Sequence, residues 1–119
     1  MSHHITIIGL GAGELEQLPL GIYRLLKNTS LLYVRTMEHP VLKELSLEGL
    51  SIESFDAVYE KHDQFEDVYE EIAETLLQKA LSEDVIYGVP GHPLIAEMTV
   101  QLLLSKGSER GIDVVIKGG

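Results

Sequence analysis

Residues 5–13 read Ile-Thr-Ile-Ile-Gly-Leu-Gly-Ala-Gly, a largely apolar run that leads into a glycine-rich loop. Continuous apolar runs are typical of strands that are buried on both faces of a parallel sheet. Glycines at the carboxyl end of such a strand let the backbone approach a ligand closely, and ligands of open α/β sheets bind at that end. The stretch therefore predicts the first strand of an α/β sheet, with a candidate binding loop at Gly11, Ala12 and Gly13. A tight glycine turn without a ligand fits these residues equally well.

Four further short β-rich runs follow, and helical patterns separate them. Strands are expected at residues 31–34, 52–55, 85–87 and 112–116, and helices at 19–27, 39–49, 65–81 and 93–106. Gly107 is expected to end the last helix, because glycine is the usual residue just after a helix. This alternation indicates βαβ units with right-handed crossovers, and 119 residues fit a single domain.

The charge of the chain is concentrated in one segment. The formal net charge is −10, from 19 acidic and 9 basic residues, and residues 53–84 account for −9 of it. This acidity argues against a protein that binds nucleic acid or an anionic membrane, since both need clustered Lys and Arg. The absence of Cys excludes disulfides and zinc–thiolate sites. No secretion signal or spanning segment is visible, so a cytoplasmic domain with a small-molecule substrate is expected.

The acidic segment includes a predicted amphipathic helix at residues 65–81. Its apolar residues fall on one side, and Glu70, Glu71 and Glu74 fall on the other. Such a cluster resembles the magnesium site of MazG-type nucleotide pyrophosphohydrolases, but those proteins are all-helical and need a second acidic motif. The residues therefore favour a solvated face, and no metal site is predicted.

A second candidate loop, Val89-Pro90-Gly91-His92-Pro93, closes the fourth strand and opens the last helix. Its prolines stiffen the turn, and Gly91 permits close approach of a ligand. Pro93 suits the first turn of a helix, where free N–H groups can receive an anion or a carbonyl oxygen. The polar residues Arg35, Thr36 and His39 follow the second strand and share the same sheet edge. Arg35 is able to pair with a substrate carboxylate, although an ion-paired loop arginine is the simpler interpretation.

A dinucleotide-binding loop is the first alternative to consider. Its fingerprint G-x-G-x-x-G would need glycine at position 14, where this sequence has Glu14. A carboxylate at that position repels phosphate, and the helix that should receive the pyrophosphate is expected to begin only near Pro19. Both features argue against NAD(P) binding.

The two motifs, in this order and spacing, resemble the first domain of the tetrapyrrole (corrin/porphyrin) methylases, which transfer a methyl group from S-adenosylmethionine. The segments that carry the resemblance are residues 9–13, Leu18-Pro19-Leu20, residues 31–34 and residues 89–93. Residues 33–36 and 59–63 resemble the bacterial branch in which this domain precedes a MazG-type nucleoside triphosphate pyrophosphohydrolase. The resemblance implies a three-layer α/β fold with a five-stranded parallel sheet of order 3-2-4-1-5.

The resemblance also implies a cofactor site for S-adenosylmethionine, with S-adenosylhomocysteine as the product. The matching positions are Gly11, Ala12, Gly13, Pro90, Gly91, His92 and Ile95, and the substrate-side candidates are Arg35, Thr36 and His39. His92 stands where many members have Asp, and Arg35 where some uroporphyrinogen methylases have an acidic residue. No catalytic residue is therefore named, and the methyl acceptor is a tetrapyrrole-like or another molecule.

In the family, the cofactor lies in a cleft between this domain and a second one. Residues 1–119 are therefore expected to be the N-terminal half of that cleft, inactive alone and homodimeric. The remaining alternative is a non-catalytic module that regulates or dimerises an attached pyrophosphohydrolase.

Overall fold

Strands and helices alternate along the part of the chain that the structure, a computed structural model, describes: residues 3–13, 15–91 and 98–117. The strands are β1 His4–Gly9, β2 Leu31–Val34, β3 Ser51–Ser54, β4 Val85–Val89 and β5 Asp113–Lys117. The helices are α1 Leu20–Lys27, α2 Pro40–Leu47, α3 Asp56–Lys61, α4 Phe65–Lys79 and α5 Met98–Glu109, and Leu15–Gln17 forms a 3₁₀ turn.

The five strands form one parallel sheet of order β3-β2-β4-β1-β5, which confirms the expected topology. β1 and β4 are neighbours, and their register runs from Ile5 opposite Val85 to Gly9 opposite Val89. Because the two strands end at the same level, the glycine loops that follow them lie side by side.

Both faces of the central strands β1, β2 and β4 are largely buried, which explains their unbroken apolar runs. Ile7 and Ile8 of β1 point to opposite faces, and each is fully buried. Ile7 packs with residues of α4 and α5, whereas Ile8 packs with residues of α1 and α2. Burying an isoleucine in this way contributes about 1.5–3 kcal/mol, so the alternation fixes which helices cover which face.

The acidic face of α4 is solvated and paired with the neighbouring helix. Lys106 of α5 lies 2.6 Å from the Glu70 carboxylate, and Arg110 contacts both carboxylate oxygens of Glu74, at 2.6 and 3.0 Å. The opposite face of α4 is buried through Val68, Ile72, Leu76 and Leu77. In the described ranges, no cluster of three or more His, Asp or Glu side chains is placed to hold a metal ion. No helix in these ranges has the length and apolarity that crossing a membrane requires.

Helix α3 was not predicted from the sequence. It has six residues and buries none of them fully, so it carries no apolar periodicity. It follows Phe55, which is buried between the rings of Tyr33 and Tyr87 at centroid distances of 6.1 and 6.0 Å. The packing of Phe55 against the sheet, rather than an amphipathic pattern, therefore fixes where α3 begins.

The prediction that Gly107 ends the last helix was wrong. α5 continues to Glu109, and the glycine beyond its end is Gly111, with φ +71°. Gly107 is buried because α5 lies very close to β5 at this point. A Cβ there would lie 2.8 Å from Cγ2 of Val114 and 3.1 Å from the carbonyl oxygen of Ile112. The glycine is therefore required by close packing rather than by a helix stop.

We expect Gly107→Ala to lower the free energy of unfolding by about 1–2 kcal/mol, because overpacking outweighs the gain in helix propensity. Gly21→Ala in α1 is the matched control, since the space around Gly21 is open. It should raise stability by about 0.5–1 kcal/mol. Urea unfolding measures both changes, and equal effects of the two variants would refute the packing argument.

Candidate functional site

The loops that follow β1 and β4 are joined through two glycines. The N–H of Gly11 donates to the carbonyl oxygen of Gly91 at 3.2 Å, and the N–H of Gly91 donates to that of Gly11 at 2.9 Å. A third bond runs from the Leu10 N–H to the Val89 carbonyl oxygen, at 2.8 Å. Gly11 and Gly91 have φ values of +67° and +68°, which favour glycine strongly. The two candidate loops are therefore one hydrogen-bonded unit.

This unit presents bare backbone to solvent. A Cβ added at Gly11 or Gly91 would meet no atom within 4 Å, so the outer side of each glycine is open. Ala12 is exposed, whereas Pro90 is half-buried. At Gly13, the side chain of Gln17 occupies the place that a Cβ would take. The described loop residues Gly11, Ala12, Gly13, Pro90 and Gly91 thus form an accessible platform without charged side chains at the carboxyl ends of two neighbouring strands.

His39 connects this platform to α2. Its ring is buried, with 8% of the residue exposed. Nδ1 accepts a hydrogen bond from the N–H of Val41 at 3.2 Å and so caps α2. The ring proton is therefore assigned to Nε2, which donates to the carbonyl oxygen of Gly11 at 2.7 Å. Both ring nitrogens bond to backbone, so the predicted substrate-side histidine connects α2 to the glycine loop.

A second bond joins the glycine loop to α2. The N–H of Leu15 donates to Oε2 of Glu44 at 2.8 Å. Glu44 lies five residues beyond His39, so α2 holds the loop at two points. Sequence reasoning missed Glu44, because a glutamate on a short helix carries no pattern that distinguishes it from a solvated one.

Arg35 and Thr36 lie at the same sheet edge, beyond the end of β2. The backbone N–H of Arg35 donates to the carbonyl oxygen of Gly88 at 3.2 Å, which places Arg35 next to β4. A cavity of about 240 Å³ opens here, lined by Arg35, Thr36, Asp56 and Tyr59. The topology therefore places the substrate-side candidates Arg35 and Thr36 on the same edge as the glycine platform.

Asp56, at the start of α3, fixes the loop that follows Arg35. Its Oδ2 accepts a hydrogen bond from the N–H of Met37 at 3.0 Å. Burial raises the pKa of this carboxyl, but hydrogen bonds from Met37, Thr36 and Ser54 outweigh it and hold the pKa below the ordinary value for an aspartate. Sequence reasoning missed Asp56, although its position after the third strand of a parallel sheet placed it at the binding edge.

His92 and Ile95, two of the cofactor positions expected from the sequence, lie outside the described residues. The described part of the second loop ends at Gly91, and the chain is described again from Met98. The described cofactor positions are therefore Gly11, Ala12, Gly13, Pro90 and Gly91.

Comparison with known proteins gives three findings. The family described as Tetrapyrrole (Corrin/Porphyrin) Methylases matches residues 4–119. The chain is 52% identical over 119 residues to the "Uncharacterized protein YabN" of Bacillus subtilis (strain 168), and it spans 24% of the length of that relative. The crystal structure of a diphthine synthase matches with a TM-score of 0.72 at 20% identity, over 97% of this chain and 43% of that one.

We expect His39→Asn to loosen the glycine platform. Asparagine keeps an acceptor for the Val41 N–H but is too short to donate to the carbonyl oxygen of Gly11. Losing one hydrogen bond of about 1 kcal/mol should make the Gly11 and Gly91 amides exchange about fivefold faster with deuterium. His39→Gln, which can reach that carbonyl oxygen, should restore part of the protection. Unchanged exchange in His39→Asn would show that the platform does not depend on the histidine.

The lowered pKa of Asp56 predicts a pH dependence of the neighbouring loop. A carboxyl whose pKa is lower in the folded state contributes its full stability above its unfolded-state pKa and loses it as the pH falls through the folded-state value. The amide resonance of Met37 should therefore titrate with a midpoint below the ordinary pKa of an aspartate, and Asp56→Asn should abolish that titration. A midpoint at or above the pKa of aspartate in an unstructured peptide would contradict the hydrogen-bonded geometry.

Proposed function

This chain belongs to the tetrapyrrole (corrin/porphyrin) methylase family, and we propose that its paired glycine loops bind S-adenosylmethionine for methyl transfer to a small-molecule acceptor. The observation that carries the proposal is the bridge between Gly11 and Gly91, which holds two exposed backbone segments together. Family membership supports the choice of ligand, and the open space beside both glycines fits a ligand that lies directly on the backbone.

The chemistry of the platform suits this cofactor. The described loop residues Gly11, Ala12 and Gly13 carry no charge, so they do not repel a cationic sulfonium. The N–H groups of Gly11 and Gly91 bond to each other's carbonyl oxygens, so polar contacts to such a ligand are proposed for the backbone of Ala12 and Gly13 and for the carbonyl oxygens of the loops. When bound, S-adenosylmethionine supplies a methyl group that is already activated. The task left to the chain is alignment, for which a rigid platform is well suited.

The acceptor side of the proposed site is the cavity next to Arg35. A guanidinium binds carboxylates through two parallel hydrogen bonds, so Arg35 is proposed to orient an anionic acceptor such as a carboxylated tetrapyrrole. Thr36 lines the same cavity, and Asp56 holds the loop in place. No side chain is assigned the role of general base.

One domain supplies one wall of the proposed cleft. The chain spans 24% of the Bacillus subtilis relative and 43% of the diphthine synthase chain. We therefore propose that further residues of the full-length protein complete the cleft. The relative is also long enough to contain an attached enzyme. The second candidate function is therefore a regulatory module that is joined to a pyrophosphohydrolase.

Isothermal titration of S-adenosylhomocysteine into the full-length protein tests the proposal. Gly91→Ala should weaken binding by at least about tenfold, because a methyl group would project into the ligand's space. Gly111→Ala is the matched control: its φ of +71° and open surroundings repeat those of Gly91 away from the site. The control should bind normally.

Arg35→Glu separates the acceptor side from the cofactor side. It should leave S-adenosylhomocysteine binding nearly unchanged and weaken binding of uroporphyrin, used as an anionic probe, by at least about tenfold. Absence of S-adenosylhomocysteine binding by the wild-type protein would refute the methyltransferase proposal and favour the regulatory module.

A further inference from the structure

Helix α3 supplies one wall of the cavity next to Arg35, but its own packing holds it only weakly. Asp56 and Tyr59, two of the four described residues that line this cavity, both belong to α3. The helix has six residues and none of them is fully buried. Isolated helices of fewer than about 12 residues are marginal in water. Contacts made outside the helix must therefore fix the position of these two cavity residues.

The two ends of α3 are fixed by different contacts. Phe55, just before the helix, is buried against the sheet. At the other end, Oε1 of Glu71 in α4 accepts hydrogen bonds from Nζ of Lys61 at 2.9 Å and from Nε2 of His62 at 2.8 Å. An ionised carboxylate only accepts, so the Nε2 of His62 carries a proton. A single oxygen atom thus holds the last residue of α3 and the residue that follows it.

Glu71 is a well-fixed anchor because the helix around it enters the core. The next two residues of α4, Ile72 and Ala73, are fully buried. The side chains of Glu71 and His62 are 30% and 25% exposed, so solvent screens this contact less than it screens an exposed pair. Hydrogen bonds from Lys61 and His62 lower the pKa of the Glu71 carboxyl, which favours its ionised form.

The neighbouring glutamates of α4 bond to a different helix. Glu70 pairs with Lys106, and Glu74 pairs with Lys106 and Arg110, so both carboxylates connect α4 to α5 or to the residue that follows it. Of these three glutamates, Glu71 is the one that bonds to the end of α3. The acidic face of α4 therefore divides into two functions, and only one of them reaches the acceptor side of the site.

We propose that Glu71 is a positioning residue of the acceptor site: by holding the end of α3, it sets where Asp56 and Tyr59 lie in the cavity. The inference rests on the proposed function, which assigns this cavity to the acceptor. Glu71 is not among the described residues that line the cavity, so it acts through the helix. The effect has a short path, because the bonded end of α3 lies two residues beyond Tyr59.

Calorimetric titration of the full-length protein separates this role from a general loss of stability. Glu71→Ala should weaken binding of uroporphyrin by about fivefold and change binding of S-adenosylhomocysteine by less than about twofold, since the glycine platform lies on other loops. Glu71→Gln keeps an oxygen that accepts from His62, so it should restore most of the affinity for uroporphyrin.

Glu74→Ala is the matched control. It removes a carboxylate from the same helix, and that carboxylate also accepts hydrogen bonds from basic side chains. Both affinities should stay at the wild-type level in this variant, even where urea unfolding shows a loss of stability equal to that of Glu71→Ala. Equal loss of uroporphyrin affinity in the two variants would overturn the positioning role, because it would follow from stability.

Deuterium exchange tests the same contact without a ligand. The N–H of Met37 donates to Asp56 on α3, so its exchange reports the position of that helix. Exchange should be about fivefold faster in Glu71→Ala and unchanged in Glu74→Ala. Absence of uroporphyrin binding by the wild-type protein would refute the acceptor assignment, whereas unchanged exchange of Met37 in Glu71→Ala would overturn the positioning role itself.

Discussion

The bridge between Gly11 and Gly91 is the interaction on which the rest of the site depends. Parallel pairing of β1 with β4 ends at Gly9 and Val89. Beyond it, the described parts of the two loops are joined by the mutual hydrogen bonds of Gly11 and Gly91, next to the bond from Leu10 to Val89. Each has a positive φ, and each has open space where a side chain would otherwise project. The bridge therefore needs glycine for the backbone turn, and the proposed cofactor needs it for access to the backbone.

Helix α2 anchors the platform through two hydrogen bonds. The carbonyl oxygen of Gly11 accepts from both Gly91 and His39, and Glu44 fixes the next segment at Leu15. His39 links helix geometry to loop geometry, since the same ring caps α2 and bonds to the loop. The overall acidity bears little on this site, because α4 directs much of it to solvent and to Lys106 and Arg110. Asp56 is the member of the acidic segment that reaches the binding edge.

Much of the fold could be predicted because buried parallel strands are unbroken runs of apolar residues, which can be recognised in a single sequence. All five strands were predicted to within a few residues, and the sheet order followed from the family resemblance. The parts that failed depend on tertiary contact. Gly107 was predicted to end the last helix, but glycine is needed there because a side chain would collide with Val114. The position of α3 depends on the burial of Phe55. The two hydrogen bonds of His39 depend on the relative positions of α2 and Gly11, which no local sequence pattern encodes.

The backbone of the paired glycine loops is the proposed cofactor surface. Amide chemical-shift mapping of the ¹⁵N-labelled full-length protein during titration with S-adenosylhomocysteine tests it most directly. The account predicts that the largest shifts in the described part of this domain occur at Gly11, Ala12, Gly13 and Gly91, with smaller changes at His39. Saturable shifts centred elsewhere, for example on the acidic face of α4, with the glycine amides unmoved, would contradict it.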